Sequence, residues 1–280
     1  MTITVEGYQE KTAEAHGLRF HYLEWGQPGA TPMVVLHGLT GLARMWDVFC
    51  GAFASDYHIF CLDQRGHGDT QWPNPPSFAG DDYVEDVRAL ADGWGLERFV
   101  LVGLSMGAHN TLGFASKYPE RVIKAVPIDI PPAINRPAAS NAVPARRSSA
   151  EQAGEGEYAS VEEMIAGTRA NNAIAADDMI RHRVTNNARQ LPNGKWTWKY
   201  SPDAPALWRP EDLWERLPKI TAPTLVVRGG LSNVLSQEVA EKEAAALPHG
   251  RLVVIEGSGH PVPMDKPVAL EAAVRSFLAE

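Results

Sequence analysis

Cysteine is nearly missing: Cys50 and Cys61 are the only two in 280 residues. Two thiols cannot build a disulfide framework, and neither stands at metal-ligand spacing from a histidine, so both are expected to be small buried apolar side chains. Runs of Lys and Arg are also absent. The formal net charge is -8 at pH 7 with the acids dispersed, which removes the electrostatic footprint needed for nucleic acid or an anionic membrane. No apolar stretch approaches the length that crosses a bilayer. Met1 to Glu14 lack the basic and apolar regions of an export signal, so a cytoplasmic location is expected. Repeats at solenoid periods are absent, and nothing in the chain sets an oligomeric state. What is present is apolar mass: 44% of the residues, enough for one large domain or one domain carrying an insertion. A small-molecule partner suits this profile.

Short runs rich in Val, Ile and Leu recur along the chain: Met33 to Leu36, Ile59 to Leu62, Phe99 to Leu104, Val122 to Ile130, Thr224 to Val227 and Leu252 to Ile255. Each is too brief for a helix, and continuous apolarity marks strands covered on both faces, hence parallel. Helical spacing lies between them. In "DDYVEDVRALADGWG", Tyr83, Val87, Leu90, Ala91 and Trp94 fall on one face, and Gly93 and Gly95 supply a stop. Strands alternating with helices predict a parallel α/β sheet.

The alternation lapses between about Pro131 and Pro218. Here "PPAINRPAASNAVPARRSSAEQAGEGEY" reads as an exposed connection, "VEEMIAGTRANNAIAADDMIRHRV" as helices and "GKWTWKY" as a short strand. We expect residues 131–218 to form a largely helical cap, or lid, inserted into a sheet domain made of residues 1–130 and 219–280.

"FVLVGLSMGAHNTLGF" places Ser105 between Gly103 and Gly107 where an apolar strand run meets a helix. This is the G-x-S-x-G pattern of a nucleophile elbow. The glycines remove side chains that would collide across the turn, the hydroxyl projects above the sheet, and the following helix aims its N-terminal N–H groups at developing negative charge. A serine hydroxyl reacts only if a base takes its proton. At such an elbow the acid and then the histidine follow the serine in the chain. Of His109, His182, His249 and His260, the last lies in the Gly-rich loop of "RLVVIEGSGHPVP", just past the last strand run and on the same sheet edge as Ser105. His109 falls on the elbow helix, His182 on a cap helix, and His249 precedes the last strand, at the opposite edge.

An acylated serine needs donors for its oxyanion. In "VVLHGLTG", Gly38 and Gly41 let a loop after a strand turn the Leu39 N–H toward the site, joined by the Met106 N–H. His37 precedes the serine and is expected to anchor that loop.

From "HGLTG" through "LDQRGHGDT", "GLSMG" and "IDIPP" to "GSGHPVP", the chain resembles the serine hydrolases of the α/β-hydrolase fold, esterase- and lipase-like, with an inserted cap. The resemblance implies a mostly parallel central sheet flanked by helices, with the cap after the sixth strand run. It gives Asp63, Arg65 and His67 structural roles beside the elbow. Most relatives carry the triad acid after the seventh strand, yet "RGGLSNVLS" holds no carboxylate, and Asn233 stands where many have Asp. A branch with a similar "IDI-x-P" uses the acid after the sixth strand, which here is Asp129. A triad of Ser105, His260 and Asp129 is therefore expected, with Asn233 marking an altered site as the alternative.

The implied chemistry is hydrolysis of a small carboxylic ester through an acyl-enzyme on Ser105. A lactonase, thioesterase or C–C bond hydrolase would use the same machinery, and a small-molecule receptor of the same fold is the alternative from another class. No metal or organic cofactor is signalled. Trp46 and Met106 are candidates to line the substrate pocket; Trp196, Trp198, Trp208 and Trp214 either line it or pack.

Overall fold

The computed structural model describes residue 3 and residues 6–134 and 156–280. Its strands are β1 (Tyr8–Ala15), β2 (Leu18–Trp25), β3 (Thr31–Leu36), β4 (Tyr57–Leu62), β5 (Phe99–Leu104), β6 (Val122–Ile128), β7 (Ala188–Gln190), β8 (Trp196–Trp198), β9 (Thr224–Gly229) and β10 (Gly250–Ile255). Eight of them form one sheet in the order β1-β2-β4-β3-β5-β6-β9-β10. From β4 to β10 every pairing is parallel, and each of the six apolar runs rich in Val, Ile and Leu contributes a strand to this part. β5 is buried at all six positions, as a strand covered on both faces must be.

Alternate side chains go to opposite faces. Val34, Leu36, Phe60, Leu62 and Leu101 join a core with the helices Gly80–Gly93, Met106–Lys117 and Gln237–Ala246. Met33, Val35, Ile59, Cys61 and Val102 join the core beneath the helices Asp47–Phe53 and Pro267–Leu278. Cys50 and Cys61 are free and fully buried there, as small apolar side chains.

The β1–β2 hairpin was not among the expected strands. Its connection is the two-residue turn His16–Gly17, both at positive φ (50° and 74°), which matches the strand twist. β1 is the sheet edge and is largely exposed, with Glu10, Lys11 and Glu14 along it. Charges of this kind blunt an edge against further pairing, and they also hide the strand from an apolar-run search.

The cap follows β6. Its described part holds the helices Val161–Ala170, Asp177–Asn187 and Asp203–Leu207 and the antiparallel pair β7–β8. The expected strand in "GKWTWKY" is β8. Of the expected exposed connection, residues 135–155 lie outside the described residues. The cap has a small core of its own, Met164, Ile180, Val184 and Trp198 among others, which also takes in Met264 from the sheet domain. Polar ties fasten it below: His182 Nε2 to Asp47 Oδ2 at 2.9 Å, Asn187 Nδ2 to the Thr40 carbonyl at 3.0 Å, and Ser201 N to the Gly66 carbonyl at 2.7 Å. The cap thus sits over the carboxyl ends of the parallel strands, where ligands bind in sheets of this type.

Candidate active site

Ser105 links β5 to its helix with φ 54° and ψ -117°, a region that L side chains rarely occupy and that costs of order 1–3 kcal/mol. The surrounding backbone imposes it. The Ser105 N–H donates to the Ile128 carbonyl at the end of β6 (2.9 Å), and the Ser105 carbonyl accepts from His109 N (2.9 Å). The flanking glycines are required by close approach. A Cβ on Gly103 would lie 2.2 Å from the Gly107 carbonyl oxygen, and one on Gly107 would lie 2.4 Å from that of Leu36.

The loop after β3 lies against the elbow. A methyl group on Gly38 would meet Ser105 Cβ at 3.2 Å. The loop is a tight turn, with Gly41 N donating to the Gly38 carbonyl at 2.9 Å and Thr40 at φ 63°. His37 holds it from behind. Its Nδ1–H donates to the Gly38 carbonyl (2.8 Å) and its Nε2 accepts from Gln64 N (3.0 Å), which leaves no lone pair for proton transfer. Gln64 in turn donates to the His37 carbonyl and accepts from Asn110 on the elbow helix. Leu39 is half-buried beside Met106, and Met106 is the first residue of its helix, so its N–H has no acceptor within that helix.

Asp129 follows β6 at φ 54° and is buried. His260 Nδ1 donates to Asp129 Oδ2 at 2.7 Å, Ser232 Oγ donates to the same oxygen at 2.5 Å, and Gly229 N donates to Oδ1 at 2.9 Å. The imidazole is 27% exposed and its carboxylate partner is not exposed at all, so the ring faces the rim with Nε2 outward. Asn233 is exposed and shares no hydrogen bond with His260. The structure therefore brings Asp129, not Asn233, to the histidine. Among the described residues no hydrogen bond closes between Ser105 Oγ and His260, a contact that in enzymes without substrate commonly tightens only on binding. Ser105 and Asp129 nonetheless sit side by side, because β5 and β6 pair in register from Leu104 with Ile128.

The remaining sequence candidates fall into place around this centre. Asp63 accepts from Ala43 N (2.6 Å), Asp69 N (2.9 Å) and His21 Nδ1 (2.8 Å). His21, Asp63 and Asp69 thus come within 4.8 Å of one another, with the Asp63 oxygens already engaged by protein donors. Arg65 forms a two-pronged pair with buried Asp86. Burial lowers the His67 pKa to about 3 and that of His109 to about 4, so both rings stay neutral; His109 spends its Nε2 on the Glu211 carbonyl at 2.9 Å. His249 is exposed at the opposite end of the strands. Trp46 is a correction: it is fully buried, edge-on to Phe49 at 5.3 Å in the lower core, and offers substrate no surface. Trp208 is likewise buried, against His109, whereas Trp198 lines a cavity.

That cavity, about 370 Å³, is walled by cap residues, Tyr158, Arg183 and Tyr200 among them, and meets the sheet domain at Thr40 of the loop at Gly38. Sequence reading also missed Ser232 and Gly229 as donors to Asp129, and Glu243. Glu243 is fully buried, and among the described residues neither of its carboxyl oxygens has a hydrogen-bond partner. Burial holds its pKa well above the ordinary carboxylate value, and the charge on Asp129 pushes the same way. The folded chain therefore keeps a proton that the unfolded chain releases above its own pKa, so this group's contribution to stability falls as pH rises from about 4.5 toward the folded value. Glu243→Leu is expected to raise stability by about 1–3 kcal/mol at pH 8. The gain at pH 4.5 should be smaller. Thermal unfolding at both values checks this, each kcal/mol moving Tm by about 2–4 °C in a chain of this size; a loss at both would contradict it.

A family model of the alpha/beta hydrolase fold matches residues 31–267, and the chain belongs to this family. Among curated proteins it is 31% identical to Esterase Rv0045c of Mycobacterium tuberculosis, over 91% of this chain and 85% of that one. It is 29% identical to 2-(acetamidomethylene)succinate hydrolase of Mesorhizobium japonicum, over 90% of each. Among solved structures, the M. tuberculosis esterase Rv0045c superposes with a TM-score of 0.81 at 26% identity, covering 99% of this chain and 94% of that one. E-2-(acetamidomethylene)succinate hydrolase shares the fold with a TM-score of 0.84 at 23% identity, covering 98% of this chain and all of that one. Among the described residues no helix is long and apolar enough to cross a membrane.

Proposed function

We propose that the chain hydrolyses a small carboxylic ester by acyl transfer through Ser105, with residues 131–218 acting as the lid. The observation that carries this reading is the His260–Asp129 contact of 2.7 Å on the rim where the strained Ser105 stands. Ser105 Oγ attacks the carbonyl carbon while His260 Nε2 takes its proton. The Leu39 and Met106 N–H groups hold the oxyanion, each such donor contributing ~3 kcal/mol in the transition state. The C–O bond to the alcohol breaks, and the alcohol leaves with the proton from His260. Water then attacks the Ser105 ester, its proton passes through His260 to Ser105 Oγ, and the acid departs.

Two named esterases, Rv0045c and YbfF of Escherichia coli, are similar over 90% or more of this chain and favour an ester. The similarity to 2-(acetamidomethylene)succinate hydrolase favours, as a second reading, a substrate that is not a simple alkyl ester. Mass spectrometry after a fluorophosphonate probe should find one adduct, on Ser105. A panel of short p-nitrophenyl esters, lactones and acyl-CoA should then show steady multiple turnover in the ester arm. An unlabelled Ser105 would overturn the acyl-enzyme, and single turnover with ligand-dependent partner capture would point to a receptor.

A further inference from the structure

The cavity in the cap contains a charge without a countercharge among the described residues. Arg183 stands on the helix Asp177–Asn187 and is part-buried. Among the described residues its Nε is buried with no hydrogen-bond partner, and its Nη1 reaches only Met264 Sδ, at 3.8 Å. Among the described residues no carboxylate pairs with it. The acids on neighbouring cap elements are engaged elsewhere: Glu162 with Arg181, Glu163 with Ala159 N, Asp177 with Arg169, Asp178 with Met179 N and Glu157 with Lys195. Below the helix, Asp47 is held by Arg44 and His182, and Asp265 accepts from Gly259 N. A guanidinium partly withdrawn from water with no carboxylate opposite it among the described residues is costly to the fold. Burial pulls its pKa down from the usual arginine value, with Tyr200 offsetting part of the effect.

The position of Arg183 explains why the cost is worth bearing. Met264 lies in the short helix Val262–Asp265, separated from His260 by Pro261 alone. The cavity that Arg183 borders also borders Thr40, whose neighbour Leu39 faces the elbow, and Asn187 of the same cap helix grips the Thr40 carbonyl at 3.0 Å. One rigid helix therefore holds both the guanidinium and the loop at Gly38. The other walls, Tyr158, Asn171, Trp198 and Tyr200 among them, carry no fixed charge. One cation in a cavity of about 370 Å³ matches a small monoanion, and the guanidinium fork fits a carboxylate with two parallel hydrogen bonds.

We infer that Arg183 binds a free carboxylate on the substrate, so that the ester cleaved belongs to a small molecule carrying a second, ionised acid group, such as a dicarboxylic acid monoester. This rests on the acyl-transfer reading and names the substrate class for that site. The test compares monomethyl succinate with methyl butyrate on the wild type, Arg183→Gln and Arg183→Lys. The wild type is expected to favour the charged ester in kcat/KM. In Arg183→Gln the ratio of the two should fall by about 10- to 100-fold, the scale of one hydrogen-bonded charge contact, mainly through KM; Arg183→Lys should keep part of it. Both esters meet the same folded fraction of each variant, so partial unfolding leaves the ratio unmoved. A wild type indifferent to the charge, or a ratio unchanged in Arg183→Gln, overturns the inference.

Calorimetry separates this from a failure of the hydrolase reading. Ser105→Ala should bind monomethyl succinate, and Ser105→Ala/Arg183→Gln should bind it at least about tenfold more weakly. Equal affinities, or no binding to Ser105→Ala, overturn the role of Arg183. Labelling of Ser105 by the fluorophosphonate reports on the acyl-enzyme alone.

Discussion

Ser105→Ala is expected to lower kcat on a short p-nitrophenyl ester by on the order of a million-fold, the loss that follows when a triad nucleophile is removed. Without the hydroxyl no acyl-enzyme forms. His260, still held at Nδ1 by Asp129, is left with only water to activate, while Leu39 and Met106 keep whatever oxyanion stabilisation they supply. Residual turnover above the uncatalysed rate is therefore expected. The backbone geometry that marks the elbow arises from contacts outside the side chain: Ser105 N on the Ile128 carbonyl and the close approach of Gly107 to Leu36. The variant should thus unfold at nearly the wild-type temperature. Steady-state rates and probe labelling measured together test this, and turnover within tenfold of wild type would remove Ser105 from the chemistry.

Asp129→Asn is expected to cost about ten-thousand-fold in kcat, while Asn233→Ala leaves turnover near wild type. The reason lies in the donors around Asp129. Gly229 N–H points at Oδ1, and Ser232 O–H and His260 Nδ1–H both point at Oδ2. An amide in this pocket has two orientations. With its oxygen toward Gly229, its NH2 faces His260, so Nδ1 must accept, the ring proton moves to Nε2, and the imidazole can no longer receive the Ser105 proton. With the amide flipped, NH2 opposes the Gly229 N–H and a buried donor pair is unsatisfied. Neither orientation supplies the charge that offsets the imidazolium. Asn233, exposed in the loop after β9, has no part in this arrangement. Rates for both single variants decide it: should Asn233→Ala alone abolish turnover, Asp129 is the wrong acid.

Much of this was legible in the sequence because it is local. Every apolar run became a strand of the parallel part of the sheet, since a strand buried on both faces must be apolar throughout. The elbow was readable because G-x-S-x-G is one contiguous pattern, although of the contacts that demand its glycines only that of Gly103 on Gly107 is local, Gly107 itself meeting Leu36 at the end of β3. Ser105 and His260 were placed by their positions just past strand runs, and β6 ends where "IDIPP" begins. The β1–β2 hairpin was less visible because an edge strand is half exposed and carries charge. The burial of Trp46 is hidden for a related reason: a large aromatic near the loop at Gly38 reads the same in sequence whether it faces substrate or core, and Phe49 and its neighbours decide which.

The sequence by itself determined the sheet order's raw material, the nucleophile, the histidine and the presence of an insertion after β6. Only the tertiary structure decided which side chain meets the imidazole, because that depends on three loops converging from β6, β9 and β10. It also decided that, among the described residues, Glu243 is buried without a hydrogen-bond partner and Arg183 has no countercharge. Pairing and desolvation are properties of what surrounds a residue in space, and residues far apart in the chain supply those surroundings.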